Sequence, residues 1–326
     1  MLLFLAAIVV GLVILVWSAD RFVDSAAVLA KHLGMPALLI GIIIIGFGTS
    51  APEMVVSVLA ATSGSPELAL GNAYGSNITN IALILGLTAI LSPILVQSQV
   101  VRREMPVLLA VSLLAWWQLS DGQLTRVEGA ILLLGLFALV GVSIWEAYRQ
   151  PNNQDAYVQE MNQELQDQPS MTKGKAIVGV IVGLTILVLS SRLLVWGAVG
   201  LAESFGVSEL IIGLTIVAVG TSLPELVSSI MAARKGEHDL ALGNIIGSNI
   251  FNTLAVVGLA TVLAPMQVDP KMLTRDIGTM LAMTVLLLIM CLSFKRGQQG
   301  KITRLEGGVL LSCFVGYTSY LVVTAT

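Results

Sequence analysis

The chain has 326 residues, of which 56% are hydrophobic and only 11% are charged, and its mean hydropathy is +0.90. Ordinary globular domains carry about a quarter charged residues, so this composition excludes a soluble fold and predicts a membrane protein. The formal net charge of -3 identifies no partner. Cys291 and Cys313 lie inside apolar runs without metal-site spacing, so we expect packing roles rather than a disulfide or a zinc site.

Apolar stretches of roughly bilayer-spanning length occur about ten times along the chain. They begin near Leu2, Ala37, Leu68, Met105, Val127, Lys175, Leu210, Leu240, Met272 and Leu305. The first stretch resembles a secretory signal, since Ala26 and Ala27 follow an apolar run, but it lacks a positively charged start. It also has an internal counterpart in the second half of the chain, where Gly11 matches Gly183. We therefore interpret it as a membrane helix.

The second and third stretches carry polar motifs that the second half of the chain repeats. GFGTSAPEMVVSVLAA, from Gly46 to Ala61, matches AVGTSLPELVSSIMAA, from Ala218 to Ala233. ELALGNAYGSNITN, over residues 67–80, matches DLALGNIIGSNIFN, over residues 239–252, at the same constant spacing. Two matching copies argue against chance similarity and indicate an internal duplication. Residues that this spacing relates, such as Gly11 and Gly183, are called repeat partners below.

A polar segment separates the two copies. We predict a first five-helix repeat over residues 1–147, a linker over residues 148–173 and a second five-helix repeat over residues 174–326. Acidic residues of the linker could form a weak calcium patch: Asp155, Glu160, Glu164 and Asp167. The segment lacks the glycine and the ligand alternation of an EF-hand loop, which favours a solvated linker instead.

An odd number of helices in each repeat places the second copy upside down relative to the first. With the N-terminus outside, the outer loops receive only Arg126, Lys271 and Arg275. The inner loops receive Lys31, Arg102, Arg103, Arg149, Lys173, Lys175, Arg234, Lys235, Lys295, Arg296, Lys301 and Arg304. The positive-inside rule therefore predicts a cytoplasmic linker and both termini outside. His32 and His238 also fall in inner loops, and we expect both to be solvated.

Pro52 and Pro224 break the helices of the first duplicated motif, because proline lacks an N–H and clashes with the carbonyl four residues back. Broken helices in paired positions of two halves point to a transport site, where irregular backbone lines a hydrated cavity. Glu53 and Glu225 directly follow these prolines. Ionisable groups within membrane helices are costly and are functional candidates by default.

Helix capping is the simpler alternative for these glutamates. Residues 50–53 and 222–225 both fit the Ser-x-x-Glu capping box, with proline just inside the helix. For one copy alone, capping and ion binding explain the pattern equally well. The polar residues around both copies decide in favour of ion binding.

Oxygen-bearing side chains four residues apart share helix faces in both copies. The pairs are Thr49 with Glu53, Ser76 with Asn80, Thr221 with Glu225, and Ser248 with Asn252. Carboxylates, hydroxyls, amide oxygens and freed carbonyls suit a hard cation, and calcium favours about six to eight such ligands. Transition metals are less expected on the same grounds. For any single residue, a helix–helix hydrogen bond or a bond to its own backbone remains open.

Glycine pairs spaced as GxxxG predict close helix packing in both copies: Gly71 with Gly75, and Gly243 with Gly247. Packing alone could explain them. We nevertheless expect the close approach to bring the serine and asparagine of the same helix against Glu53.

These residues resemble a known family, the sodium/calcium exchangers of the calcium/cation antiporter superfamily. GTSAPE and GTSLPE, with GSNITN and GSNIFN, are similar to its two alpha-repeat signatures, and the resemblance covers nearly the whole chain. It implies an all-α, prokaryotic ten-helix type with two inverted five-helix repeats. It also implies ion binding by Glu53 and Glu225, together with Thr49, Ser50, Ser76, Asn80, Thr221, Ser222, Ser248 and backbone oxygens near Gly46 and Ala218.

Asn252 is a candidate ligand that departs from several family members, including potassium-dependent ones, which carry Asp there. Potassium co-transport is therefore less expected. The proton/calcium branch usually carries Asn-Ala-x-Glu, where this chain has Ser-Ala-Pro-Glu and Ser-Leu-Pro-Glu. That difference favours sodium as the counter-ion.

The expected function is exchange of sodium for calcium by alternating access, at a midplane site in a prokaryotic cytoplasmic membrane. Ca²⁺ and Na⁺ are the transported ions, and we expect no cofactor, no nucleic acid and no obligate protein partner. A calcium/proton antiporter and a cation channel remain alternatives, although broken, duplicated helices favour a carrier. An intramembrane enzyme is disfavoured, because no membrane-embedded His or paired Asp supplies a nucleophile–base pair or an aspartyl dyad.

Overall fold

The computed structural model describes residues 1–33, 50–96, 100–149, 171–236, 238–292 and 300–325, and the fold of these residues is almost entirely helical. The predicted second membrane stretch begins near Ala37, outside these ranges, and so does most of the predicted linker. The proposed boundaries after residues 147 and 173 therefore stay predictions.

Six α-helices and two short strands make up the described part of the first half. They are α1 (Leu2–His32), α2 (Ala51–Thr62), α3 (Pro66–Ile78), α4 (Leu85–Leu91), β1 (Ile94–Val96), α5 (Met105–Gln118), β2 (Gln123–Leu124) and α6 (Arg126–Arg149). π-Helical segments at Thr79–Ile84 and Val100–Glu104 and a 3-10 turn at Leu119–Asp121 complete it.

The second half contains eight α-helices among its described residues. They are α7 (Lys173–Phe205), α8 (Glu209–Ile212), α9 (Ala218–Thr221), α10 (Leu223–Lys235), α11 (His238–Phe251), α12 (Gly258–Leu263), α13 (Gly278–Cys291) and α14 (Arg304–Ala325). Strands β3 (Met266–Gln267) and β4 (Gly300–Ile302) and π-helical segments at Gly213–Val217, Asn252–Val257 and Met272–Ile277 lie between them.

Seven helices of the described chain are long and apolar enough to cross a membrane: Leu2–Leu29, Pro66–Leu91, Arg126–Ser143, Lys173–Phe205, Leu240–Leu263, Met272–Cys291 and Arg304–Thr324. Glu209–Thr221 and Leu223–Arg234 add an eighth span, bent by 45°. These eight spans correspond to eight of the ten predicted stretches. Of the other two, the stretch near Met105 is the 14-residue helix α5, and the stretch near Ala37 is the one outside the described residues. The predicted polytopic all-α class is confirmed.

The first helices of the two halves, α1 and α7, pack against each other in antiparallel directions. A Cβ added at Gly11 would lie 3.1 Å from Leu194 N, and one added at Gly183 would lie 3.0 Å from Phe22 Cα. Residues near the end of α1 therefore contact residues near the start of α7, and the reverse holds at the start of α1. Each residue of one contact has its repeat partner in the other, since Gly11 matches Gly183 and Phe22 matches Leu194. Equivalent helices that run antiparallel confirm the predicted inverted repeats.

Reciprocal contacts also interlock the halves elsewhere. A Cβ added at Gly86 would lie 3.0 Å from the Gly307 carbonyl oxygen, and one added at Gly129 would lie 2.9 Å from that of Gly258. Gly258 is the repeat partner of Gly86. The strands follow the same rule, because β1 pairs with β4 and β2 pairs with β3, both antiparallel. Each half therefore completes the packing of the other, and the polar motifs lie between them.

Candidate cation site

Glu53 and Glu225 lie in the first turns of α2 and α10, and both side chains are fully buried. The residue before each helix is a serine with nearly the same backbone conformation: φ is -89° and ψ is 8° at Ser50, and φ is -86° and ψ is 10° at Ser222. Proline follows at the start of each helix, where its missing N–H is harmless. The duplicated sequence therefore produces the same helix start in both copies, and in the second copy this start directly follows α9.

Neither serine caps its helix by a side-chain hydrogen bond. The capping box does occur elsewhere in this chain. At Thr125 the backbone N–H donates to Glu128 Oε2 at 2.7 Å, and the Glu128 N–H donates back to Thr125 Oγ1 at 3.4 Å. The simpler capping explanation for Glu53 and Glu225 is therefore wrong, and their carboxylates are available for other partners.

The partners of the two carboxylates are serine hydroxyls from other helices. Ser222 Oγ donates to Glu53 Oε1 at 3.1 Å, across the boundary between the halves. Ser248 Oγ donates to Glu225 Oε1 at 3.4 Å. Within the described part of the chain, Oε2 of both glutamates has no protein hydrogen-bond partner. A buried carboxylate costs several kcal/mol unless charge or hydrogen bonds compensate it, so each glutamate favours a bound cation or a proton.

The carbonyl oxygen of Ala218 is a convergence point in the second half. It accepts the Ser222 N–H at 3.2 Å, and the hydroxyls of Ser76 and Thr221 lie at 3.4 Å. Ser76, Thr221 and Ala218 are fully buried. Hydroxyls can turn their lone pairs toward a cation, so this group offers oxygen ligands from both halves.

Asn80 is the second residue of the π-helical segment Thr79–Ile84, and its repeat partner Asn252 is the first residue of the segment Asn252–Val257. Both are fully buried. Asn80 Nδ2 donates to Asn249 Oδ1 at 3.0 Å, which leaves Asn80 Oδ1 without a partner among the described residues. Both polar side-chain atoms of Asn252 are unpartnered within the same ranges. π-Helical insertions are frequent at functional sites, and buried amides without partners suit ligands for an ion.

Two of the predicted ligands, Thr49 and Gly46, lie outside the described residues. Ser50 is fully buried, and its hydroxyl has no protein partner within the described ranges. The ligand roles of all twelve candidates stay predictions. In the described part of the chain no cluster of three or more His, Cys, Asp or Glu side chains could hold a metal ion.

The glycine pair of α3 makes the predicted close helix contact, and its partner lies in the second half. A Cβ added at Gly71 would lie 2.6 Å from the Leu210 carbonyl oxygen, and one added at Gly75 would lie 2.7 Å from Leu214 Cα. The close approach is therefore to the broken helix of the second half, and it brings the Ser76 hydroxyl to 3.4 Å from the Ala218 carbonyl oxygen. The partners of Gly243 and Gly247 expected from the repeat fall at residues 38–46, outside the described ranges.

Sequence reasoning missed a second set of polar side chains behind the glutamates. Asn72 Nδ2 donates to the Glu53 carbonyl oxygen at 3.2 Å and to Ser57 Oγ at 2.9 Å. Asn244 Nδ2 makes the same contacts with Glu225 O, at 3.4 Å, and Ser229 Oγ, at 2.9 Å. Asn72 and Asn244 are repeat partners with identical side chains, so the repeat alone could have identified them.

Two minor predictions have mixed outcomes. Cys291 and Cys313 are both free, as expected. His32 is exposed, and its Nε2 lies 2.9 Å from Met171 O. His238 is only partly exposed and its Nδ1 is buried without a described partner, so the prediction that it is solvated was wrong in part.

Inverted helical repeats around two buried carboxylates define a membrane carrier of the inverted-repeat class. The chain matches the family model described as "Sodium/calcium exchanger protein" over residues 3–145 and 175–323. It therefore belongs to the sodium/calcium exchanger protein family.

Known proteins resemble this chain along nearly its whole length. A protein of Alkalimonas amylolytica with a provisional antiporter name, CaxA, is 48% identical over 95% of this chain and 96% of its own. Inner membrane protein YrbG of Escherichia coli K12 is 43% identical over 89% of both chains. The sodium-calcium exchanger NCX_Mj, in a structure soaked with 2.5 mM Na⁺ and 0.1 mM Ca²⁺, is 28% identical, with a TM-score of 0.61 and 98% of both chains covered. These findings support a cation exchanger.

Proposed function

We propose that this protein is a secondary active antiporter that exchanges sodium for calcium by alternating access. One observation carries the proposal: two fully buried glutamates, each bonded through one oxygen to a serine hydroxyl, keep a second oxygen without a protein partner among the described residues. The sodium-calcium exchanger NCX_Mj, similar over 98% of both chains, adds support.

The proposed ligands are hard oxygen donors from both halves. They are Glu53, Glu225, Ser50, Ser76, Asn80, Thr221, Ser222, Ser248, Asn252 and the Ala218 carbonyl, with Thr49 and Gly46 added by the family resemblance. Calcium takes about six to eight such ligands, so a subset of this group suffices. Sodium also binds oxygen, and both ions would use the same carboxylates.

Competition for the carboxylates would couple the two ion fluxes. Two ionised glutamates carry about two negative charges, which one Ca²⁺ or several Na⁺ neutralise. A doubly charged site without ions should resist crossing a low-dielectric barrier, because burial of uncompensated charge is costly. Only the loaded carrier would then switch between inward and outward access, with the inverted halves as opposed gates.

The proposed setting is a prokaryotic cytoplasmic membrane. The name of the Escherichia coli relative, an inner membrane protein, supports it. Loop charges favour both termini outside and a cytoplasmic linker over residues 148–173. The lipid bilayer and the two transported ions are then the partners, and neither a cofactor nor an obligate protein partner is required.

The test is calcium uptake by proteoliposomes that contain the purified full chain. Vesicles receive an outward sodium gradient, an outward proton gradient, or neither. Uptake driven by sodium alone is the expected result. Uptake driven only by protons, or equal uptake in all three conditions, would contradict the proposal.

A calcium/proton antiporter is the second candidate, because the same two buried carboxylates could take up protons in place of sodium. The proton-gradient arm tests it directly. A pure conductance without obligatory exchange would instead identify a channel.

A further inference from the structure

Asn72 is a fully buried side chain in α3 that contacts both halves of the protein. Its Nδ2 donates to the carbonyl oxygen of Glu53 at 3.2 Å and to Ser57 Oγ at 2.9 Å. Ser57 Oγ in turn donates to the carbonyl oxygen of Ala69 at 3.2 Å. On the other side, Asn72 Oδ1 accepts a hydrogen bond of 3.0 Å from Thr221 Oγ1.

The direction of this hydrogen-bond chain is determined by its ends. Backbone carbonyls only accept, so the NH₂ group of Asn72 must face Glu53 O, and Ser57 must donate its proton to Ala69 O. The amide orientation of Asn72 follows from this network. Its carbonyl oxygen must therefore point to Thr221, whose hydroxyl has to be the donor.

A threonine hydroxyl has one proton and two lone pairs. The other acceptors near the Thr221 proton are Ala218 O, at 3.4 Å, and the carboxylate of Glu53. When the proton goes to Asn72, the lone pairs of Thr221 stay available to a cation. The Ala218 carbonyl, which already accepts the Ser222 N–H at 3.2 Å and has the Ser76 hydroxyl at 3.4 Å, is then spared a further donor. Groups that orient a ligand in this way also raise its basicity.

We propose that Asn72 is a positioning residue for the transported cation: by accepting the Thr221 proton, it turns the lone pairs of that hydroxyl toward the ion and spares the Ala218 carbonyl a further donor. The proposal rests on the function proposed above. It also links the helix of Glu53 in one half to the broken helix of the other half.

A purely structural role would be a brace that ties α2 to α3. Asn244 provides the matched control, because it makes the equivalent brace in the second half, to Glu225 O and Ser229 Oγ, while the Thr221 hydroxyl bonds to Asn72. Asn72 accepts a hydrogen bond from Thr221, whereas the Thr221 hydroxyl makes no such bond to Asn244 in the described part of the structure. A double-mutant cycle with Thr221 measures the coupling energy of each asparagine.

The experiment is equilibrium binding of radioactive calcium to the purified full chain in detergent, with thermal denaturation of each variant recorded in parallel. Asn72→Leu and Thr221→Val should each weaken binding by about tenfold to 100-fold, as is typical when the partner of a metal ligand is lost. If Asn72 acts through Thr221, the double variant should bind within about twofold of the weaker single variant.

The control cycle combines Asn244→Leu with Thr221→Val, and there the two losses should multiply. Thr221→Ser keeps the hydroxyl, so it should bind nearly as well as the wild type and should remain sensitive to Asn72→Leu. Should Asn72→Leu fail to fold, Asn72→Ser replaces it in the same cycle, because serine removes the amide carbonyl.

Two results would overturn the role of Asn72: losses that multiply for Asn72 and Thr221, or a lower melting temperature of Asn72→Leu with unchanged calcium affinity. Both leave the proposed function intact. Wild-type protein that binds no calcium would overturn the proposed function as well, so the two failures are distinguishable.

Discussion

The hydroxyl of Ser222, in the second half of the chain, donates to Oε1 of Glu53, in the first half, at 3.1 Å. Each residue belongs to a copy of the same motif, so the two copies meet at the acidic site rather than forming separate sites. A cation bound to Glu53 would therefore lie beside residues of both halves, which fits the proposed alternating access.

Neutralising either glutamate should abolish exchange without unfolding the protein. Glu53→Gln and Glu225→Gln each remove a negative charge from the proposed calcium site, so we expect apparent calcium affinity to fall by at least roughly 100-fold. Thermal stability should stay equal or rise, because a buried, uncompensated carboxylate is removed. Sodium-driven calcium uptake and thermal denaturation measure the two effects.

Glu203→Gln is the control, since Glu203 is exposed in α7 and has the same chemistry. Its uptake should equal that of the wild type. If Glu53→Gln and Glu225→Gln each kept full exchange with unchanged affinity, the assignment of both glutamates would be wrong.

Removing the hydroxyl of Ser222 should weaken ion binding more than stability. Ser222→Ala deletes the bond to Glu53 and a proposed ligand, and a hydrogen bond to a charged group contributes about 1.5–3 kcal/mol, or roughly tenfold to 100-fold in affinity. Ser112→Ala is the matched control, because Ser112 is equally buried but bonds its own helix at Leu108 O. Equal calcium affinities of the two variants would contradict a binding role for Ser222.

Two adjacent glycines of α14 should respond oppositely to alanine. A Cβ at Gly307 would lie 2.7 Å from Gly86 O, whereas one at Gly308 would meet no described atom within 4 Å. Overpacking of that kind costs about 1–3 kcal/mol, so Gly307→Ala should lower the melting temperature. Gly308→Ala should be neutral or stabilising by up to about 1 kcal/mol, because alanine favours helix. Similar melting temperatures would rule out the close contact between α4 and α14.

The hydroxyl of Tyr317 should stabilise the protein through its hydrogen bond to Asp276, near the start of the span Met272–Cys291. Asp276 is fully buried, pairs with Arg275 Nε at 2.7 Å and accepts the Tyr317 hydroxyl at 2.9 Å. Tyr317→Phe should destabilise the protein by about 1.5–3 kcal/mol, the contribution of a hydrogen bond to a charged group. Tyr320→Phe, on an exposed side chain of the same helix, should change little. Thermal denaturation of both variants checks the prediction, and equal melting temperatures would refute it.

The membrane class, most of the span positions and the duplication can all be read from the amino-acid sequence. Apolar stretches longer than a bilayer core are visible in one dimension, and so is a motif that recurs at a constant spacing. The candidate role of Glu53 and Glu225 was predicted from their place directly after the paired prolines within apolar stretches. Asn72 and Asn244 could have been found by the same comparison of the two copies.

The tertiary structure alone decided which residues meet. The local pattern at Ser222 fits a capping box as well as an ion site, but its hydroxyl donates to Glu53 in the other half. The spacing of Gly71 predicts a close helix contact, but only the structure identifies Leu210 of the other half as its partner. Sequence periodicity predicts which side chains share one face of a single helix. Contacts between the inverted halves depend instead on how whole helices cross. They also depend on π-helical turns, such as the one that begins at Asn252, because an extra residue in a turn rotates the following side chains around the helix.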